Sequence, residues 1–200
     1  MAAIENATRR LSLADYDAMI RDGQFRGDER LELLDGLLVK KKTKGFRHVA
    51  ITHRLFLSLI RSLPGEWHAR KEDPVDLPGG PIEGAPSRPE PDVAVVKGPE
   101  GCFDNGYPSA GDLVLVVEVA SDSRSLALDR EGLARYAWNR VAVVWIVNLA
   151  ASVIEVYSDP TGPVEFPVYE QNAVKRAGDS IVVRLDGERE ITLDVAALLA

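Results

Sequence analysis

The 200-residue chain holds a single cysteine, Cys102, so no disulfide can form within it. It has no long apolar run either: the longest, Val141 to Val147, spans seven residues, against the roughly 18 that a membrane span requires. The N-terminal stretch MAAIENATRRLSLADYDAMI carries no uninterrupted apolar segment of the signal-peptide kind. Together these absences predict a protein of the reducing cytoplasm that neither crosses a membrane nor anchors to one. No Cys/His pattern of zinc-ligand spacing is present. What is present is 46% hydrophobic and 28% charged residues, which excludes disorder and collagen-like repeats and predicts one domain over residues 1–200. A domain of this size buries roughly 70% of its unfolded surface, enough for a real core with a concave site.

The net charge of −7 speaks against a polyanionic partner for the chain as a whole, but the charge is unevenly placed. Between Leu38 and Lys71 nine lysines and arginines face one acidic residue, Glu66, a surplus of +8 that leaves −15 for the remainder. His48, His53 and His68 lie in the same window. A solvated basic face and a polyanion-binding face both fit it.

Periodicity and turn chemistry predict the elements. Thr8 to Asp22 reads as a helix that Gly23 stops, and Asp35-Gly36 between two apolar runs reads as a β-hairpin with Glu32 and Leu34 on one face. Phe46 to Leu63 reads as a helix whose apolar side is Val49, Phe56, Ile60 and Leu63, with Arg47, Arg54 and Arg61 nearly opposite and His48 and Thr52 at its margin. Residues 72–91 carry six prolines and three glycines and read as an irregular crossing loop with a short strand at Val75 to Leu77. Strands are expected at Asp92 to Val96 and Asp112 to Ala120, a helix at Leu126 to Asn139, and strands at Val141 to Asn148 and Ser152 to Tyr157. A strand at Ser180 to Leu185 and a helix at Asp194 to Leu199 close the chain. The strand–helix–strand succession around Leu126 to Asn139 implies a parallel pair.

Glu118 is the most informative single residue, because it interrupts an apolar strand near its carboxyl end. An unpaired carboxylate there would cost several kcal/mol, so Glu118 needs a cation, either a structural arginine or lysine or a divalent metal shared with another carboxylate. Asp92, at the start of the preceding strand, is the natural partner: if the two strands are antiparallel neighbours, both carboxylates meet across the ladder. Such hard oxygen ligands suit Mg²⁺ or Mn²⁺ better than zinc.

Glu32-Leu-Leu-Asp-Gly36, His48, Pro91-Asp92-Val-Ala-Val-Val96, Val116-Val-Glu118-Val-Ala-Ser121, Asp129-Arg130, Tyr136-Ala137 and Val144-Trp-Ile-Val-Asn148 occur in this order along the chain. In these residues the sequence resembles the Uma2 family of the PD-(D/E)XK restriction-endonuclease-like superfamily, over roughly residues 10 to 160. The resemblance implies an α/β (α+β) fold: a restriction-endonuclease-like mixed β-sheet core flanked by helices, with an N-terminal helix and β-hairpin. It implies a divalent-metal-dependent endonuclease with Mg²⁺ or Mn²⁺ held by Asp92 and Glu118, and Glu32 and His48 as further catalytic residues. The partner it implies is nucleic acid, DNA above all, and a homodimer is compatible with it. The stripe of Arg47, Arg54 and Arg61, with Lys40 to Lys44 beside it, is the expected grip on the backbone, without readout of base sequence.

One position departs from the pattern. The superfamily's lysine two residues after the glutamate is Ala120 here, and the alternative location on the following helix is Gly132. Arg130 or Arg135 would be poor replacements as a base, because arginine stays protonated. The expectation is weakened cleavage. Two further readings stand beside it: a nuclease-fold protein that binds nucleic acid or a partner protein without cutting, and a sugar hydrolase using Glu32 and Glu118 as acid and base.

Overall fold

The computed structural model describes residues 9–26, 29–41 and 43–200. Helix α1 (Leu13–Arg21) begins later than the sequence suggests, because Ser12 and Asp15 form a capping box that fixes its start; Thr8 lies outside the described residues. Strands β1 (Leu31–Leu34) and β2 (Leu37–Lys40) form the expected hairpin. Its turn residues Asp35 and Gly36 have φ of 49° and 73°, the left-handed geometry that Asp-Gly supplies.

The core is a six-stranded mixed sheet in the order β3-β4-β5-β6-β7-β8. Its strands are β3 (Trp67–Arg70), β4 (Val93–Lys97), β5 (Leu113–Ala120), β6 (Val143–Asn148), β7 (Val153–Pro160) and β8 (Tyr169–Arg176). Only β5 and β6 run parallel, joined by helix α3 (Ser123–Trp138) as expected; every other neighbouring pair is antiparallel. One face packs against helix α2 (Phe46–Ser62), the hairpin of β9 (Ser180–Arg184) and β10 (Glu190–Asp194), and helix α4 (Val195–Leu199), around the buried Trp145. The other packs against α3 through Val116, Val144, Tyr136 and Ala137. The mixed sheet flanked by helices, with the N-terminal helix and hairpin, agrees with the fold expected. No helix among the described residues is long and apolar enough to cross a membrane.

Several expectations are corrected. The buried stripe of α2 is His48, Ile51, Thr52, Leu55 and Leu59, while Val49 and Ile60 are 45% and 47% exposed. Apolar residues cover more than one side of this helix, so periodicity alone did not fix which side meets the sheet. Val75 and Leu77 are buried, but the segment makes only isolated bridges, through Asp76 to Ser109 and Leu77 to Ser87. Strands β3, β8 and β10 were not expected; β8 is polar and exposed along most of its length, as an edge strand is.

The loop before β4 is held rather than free. Buried Arg88 donates to Asp76 Oδ1 at 2.6 Å, pairs with Asp17 of α1, and lies 4.5 Å over the Tyr107 ring. That anchorage fixes the chain that delivers Pro91 and Asp92 to the sheet.

Candidate active site

Asp92 and Glu118 meet where β4 begins and β5 ends. Val93 pairs with Val117 in the antiparallel ladder, and continuing that register by one residue sets Asp92 opposite Glu118. Both border a cavity of about 350 Å³. The hairpin and the segment after it contribute Glu32, Lys40, Lys41 and Lys44; α2 contributes His48; α3 contributes Asp129, Gly132 and Tyr136.

Asp92 is 5% exposed and fully engaged. Its Oδ1 accepts from Lys44 Nζ at 2.6 Å and lies 2.9 Å from His48 Nε2, and its Oδ2 accepts the Val119 N–H at 2.8 Å. Burial opposes its ionisation, but the His48 and Lys44 contacts outweigh it and hold the carboxyl below the usual range. Glu118 is in the opposite situation. Burial above all, then the charges of Asp92 and Asp129, push it well above the usual range, and the hydrogen bond that Tyr136 OH donates to Oε1 at 2.8 Å only partly offsets this. The same surroundings, burial first and Glu118 second, push the Tyr136 hydroxyl up.

A cation in the cavity would offset both the burial and the carboxylate repulsion that raise the Glu118 pKa. Two hard carboxylates bordering one cavity, one of them destabilised as an anion, fit an oxygen-seeking divalent ion held by Asp92 and Glu118. Among the described residues no group of three His, Cys, Asp or Glu gathers at ligand spacing. The rest of the ion's coordination would then fall to water and substrate oxygens, which is ordinary for Mg²⁺.

Glu32 reaches the cavity wall but is paired: Lys41 Nζ lies 2.9 Å from its Oε1, and the Glu90 N–H donates to the same oxygen at 2.8 Å. Lys41, 8% exposed, also donates to Glu90 Oε2 at 2.7 Å. Burial works against its charge, but Glu32 and Glu90 prevail and raise its pKa. The four sequence-selected residues Glu32, His48, Asp92 and Glu118 therefore share one cavity. Arg47, Arg54 and Arg61 do not line it; Arg47 and Arg61 are exposed, and Arg54 donates to the Ala200 carbonyl oxygen.

The two positions without lysine differ in setting. Ala120 is 1% exposed and packed away from the cavity, whereas Gly132 lines it. Arg130 is bound to Glu155 through Nε and Nη2 at 3.0 and 2.7 Å, and Arg135 to Asp35 Oδ2 at 2.8 Å. Sequence reasoning did not single out Lys41, Lys44 and Glu90 as members of this cluster. The basic run at 40–44 was visible, but which of its lysines turn inward is decided by carboxylates from distant segments.

The profile of the Uma2 family, described as "Putative restriction endonuclease", matches residues 13–196. The chain belongs to the Uma2 family, a nuclease-like family. It also shares its fold with a crystal structure described as "a putative nuclease belonging to DUF820" from Anabaena variabilis, at a TM-score of 0.63 and 14% identity, covering 94% of this chain and 97% of that one. No curated protein matches.

Proposed function

We propose that the protein is a divalent-ion-dependent endonuclease hydrolysing phosphodiester bonds of DNA, with Mg²⁺ or Mn²⁺ held by Asp92 and Glu118. The observation that carries this reading is the facing pair itself, with opposite acid–base bias, at the end of β5 and on a cavity lined by carboxylates and lysines together. Membership of the Uma2 family supports it.

Bound there, such an ion supplies a water of lowered pKa and neutralises charge on the scissile phosphate. The chain's own groups prepare the place. His48 and the Val119 N–H fix the Asp92 carboxylate, and Tyr136 orients Glu118 through Oε1. Glu32 acts as a positioning residue by holding Lys41 at the wall. Lys40, Lys41 and Lys44 line the cavity beside the hairpin, where their ammonium groups would attract a phosphate. Arg47 and Arg61, exposed on α2 outside the cavity, would hold the DNA backbone without reading its sequence. A cytoplasmic protein, acting alone or as a homodimer, fits this reading.

A second reading is a nuclease-fold protein that binds without cutting, favoured by Ala120 and Gly132 at the two places where a lysine is expected. The sugar-hydrolase reading is disfavoured, because Glu32 is paired with Lys41 rather than poised as a free acid or base. Incubation of supercoiled plasmid with Mg²⁺ or Mn²⁺ separates the first two. The nuclease nicks it in an ion-dependent manner that Asp92→Asn and Glu118→Gln abolish; the binder retards it without nicking.

A further inference from the structure

Among the described residues, Lys44 is the one lysine or arginine that both lines the cavity and contacts Asp92. Lys41 is locked between Glu32 and Glu90, Arg135 is held by Asp35, and Arg130 by Glu155. Lys44 is held differently. Its Nζ lies 2.6 Å from Asp92 Oδ1 and 3.2 Å from Glu72 Oε1, so it bridges a site carboxylate and a carboxylate on the crossing loop. It sits in the irregular segment between β2 and α2, and its side chain is 16% exposed, twice the value for Lys41.

Asp92 Oδ2 accepts only the Val119 N–H, while Oδ1 carries both the Lys44 ammonium and His48 Nε2, so an ion arriving on this carboxylate meets Lys44 as the resident cation beside it. Two cations at contact distance from one oxygen in a half-buried site repel strongly. A divalent ion on Asp92 therefore expels the Lys44 ammonium from Oδ1, while Glu72 keeps it at the edge of the cavity.

We propose that Lys44 is the movable cation of this site: it holds Asp92 Oδ1 while no divalent ion is bound, and on ion binding it turns about Glu72 into the cavity, where its ammonium contacts the substrate phosphate. The ion-exchange half stands on the geometry of Lys44, Asp92 and Glu72. The phosphate half rests on the nucleic-acid reading given above, and it supplies from the hairpin side a cation that Ala120 and Gly132 do not.

The test uses the full chain and Lys44→Met, which keeps the length of the side chain and removes its charge. Calorimetry with Mn²⁺ should show binding tightened roughly tenfold in the variant, within the range of ordinary site–site coupling. Binding to a phosphorothioate DNA duplex, which resists cleavage, should weaken in Lys44→Met when Mn²⁺ is present and match the parent when it is absent. Unchanged or weaker Mn²⁺ binding, absence of Mn²⁺ binding in both proteins, or a DNA-binding loss that is the same with and without the ion overturns the proposal. Should Lys44→Met fail to fold, the ammonium resonance of Lys44 in the parent protein decides. Its loss of protection on Mg²⁺ titration supports displacement, and an unchanged signal with Mg²⁺ bound refutes it. A parent that shows this binding pattern yet never nicks plasmid removes the nuclease reading and leaves the role of Lys44 standing.

Discussion

Asp92 and Glu118 face each other across the β4–β5 ladder, yet the fold treats their charges oppositely: Asp92 is stabilised as an anion by His48 and Lys44, and Glu118 is driven toward its protonated form. Like charges so placed do not both ionise without a cation between them. The asymmetry has consequences for stability as well as for chemistry.

Because the pKa of Glu118 is raised in the fold above its ordinary 4.5, the folded state keeps a proton that the unfolded chain has lost, and stability falls as pH rises from 4.5 toward the folded value. Glu118→Gln, which mimics the protonated carboxyl, should raise Tm near neutral pH and lose that advantage below 4.5. Asp92 is lowered from its ordinary 3.8, so its contribution is present above 3.8 and disappears as pH falls through the folded value. Asp92→Asn should therefore lower stability at neutral pH, by roughly 3 kcal/mol, since it breaks a buried charge network. Thermal melts across this pH range check both, and shifts of the same sign in the two variants would contradict the assignment.

The two positions that lack lysine are not equivalent. Gly132 lies on α3 at the cavity, and a Cβ there meets only Arg135 Nη1, at an ordinary 3.5 Å. Gly132→Ala should stabilise the helix by up to about 1 kcal/mol, and Gly132→Lys should fold normally and raise ion-dependent plasmid nicking. Ala120→Lys should instead destabilise the protein, because the ammonium would enter a site that is 1% exposed. Melting curves and nicking rates of the two variants test this; equal tolerance at both positions would refute it.

For the arginines, the expected outcome divides along the helix. Arg54→Ala alone should leave DNA binding nearly unchanged, since its guanidinium is already bound to Ala200. Arg47→Ala with Arg61→Ala should weaken binding similarly for all sequences and lower the slope of log K against log salt by roughly one unit per lost contact. An unaltered slope would make both ordinary surface residues.

Much of the site was legible in the sequence because it is written in short range. A carboxylate inside an apolar strand, a second one after Pro91, and an Asp-Gly turn beside Glu32 each carry a local signal, and antiparallel pairing of β4 with β5 brings the first two together as expected. The parts that were not legible depend on distance along the chain. His48 looked marginal on α2 and is in fact central to its buried stripe, because the sheet, not the helix, selects the face. Lys41 and Lys44 looked like surface charge until Glu32, Glu90 and Asp92 were placed against them. β8 carries no apolar alternation and was invisible for that reason.

Whether Asp92 and Glu118 hold one divalent ion between them is decided by calorimetric titration of Mn²⁺ into the parent protein and into Glu118→Ala. Saturable binding is expected for the parent, and no binding for a Glu118→Ala protein whose circular dichroism is unchanged. Binding of equal affinity in the folded variant would contradict the shared site.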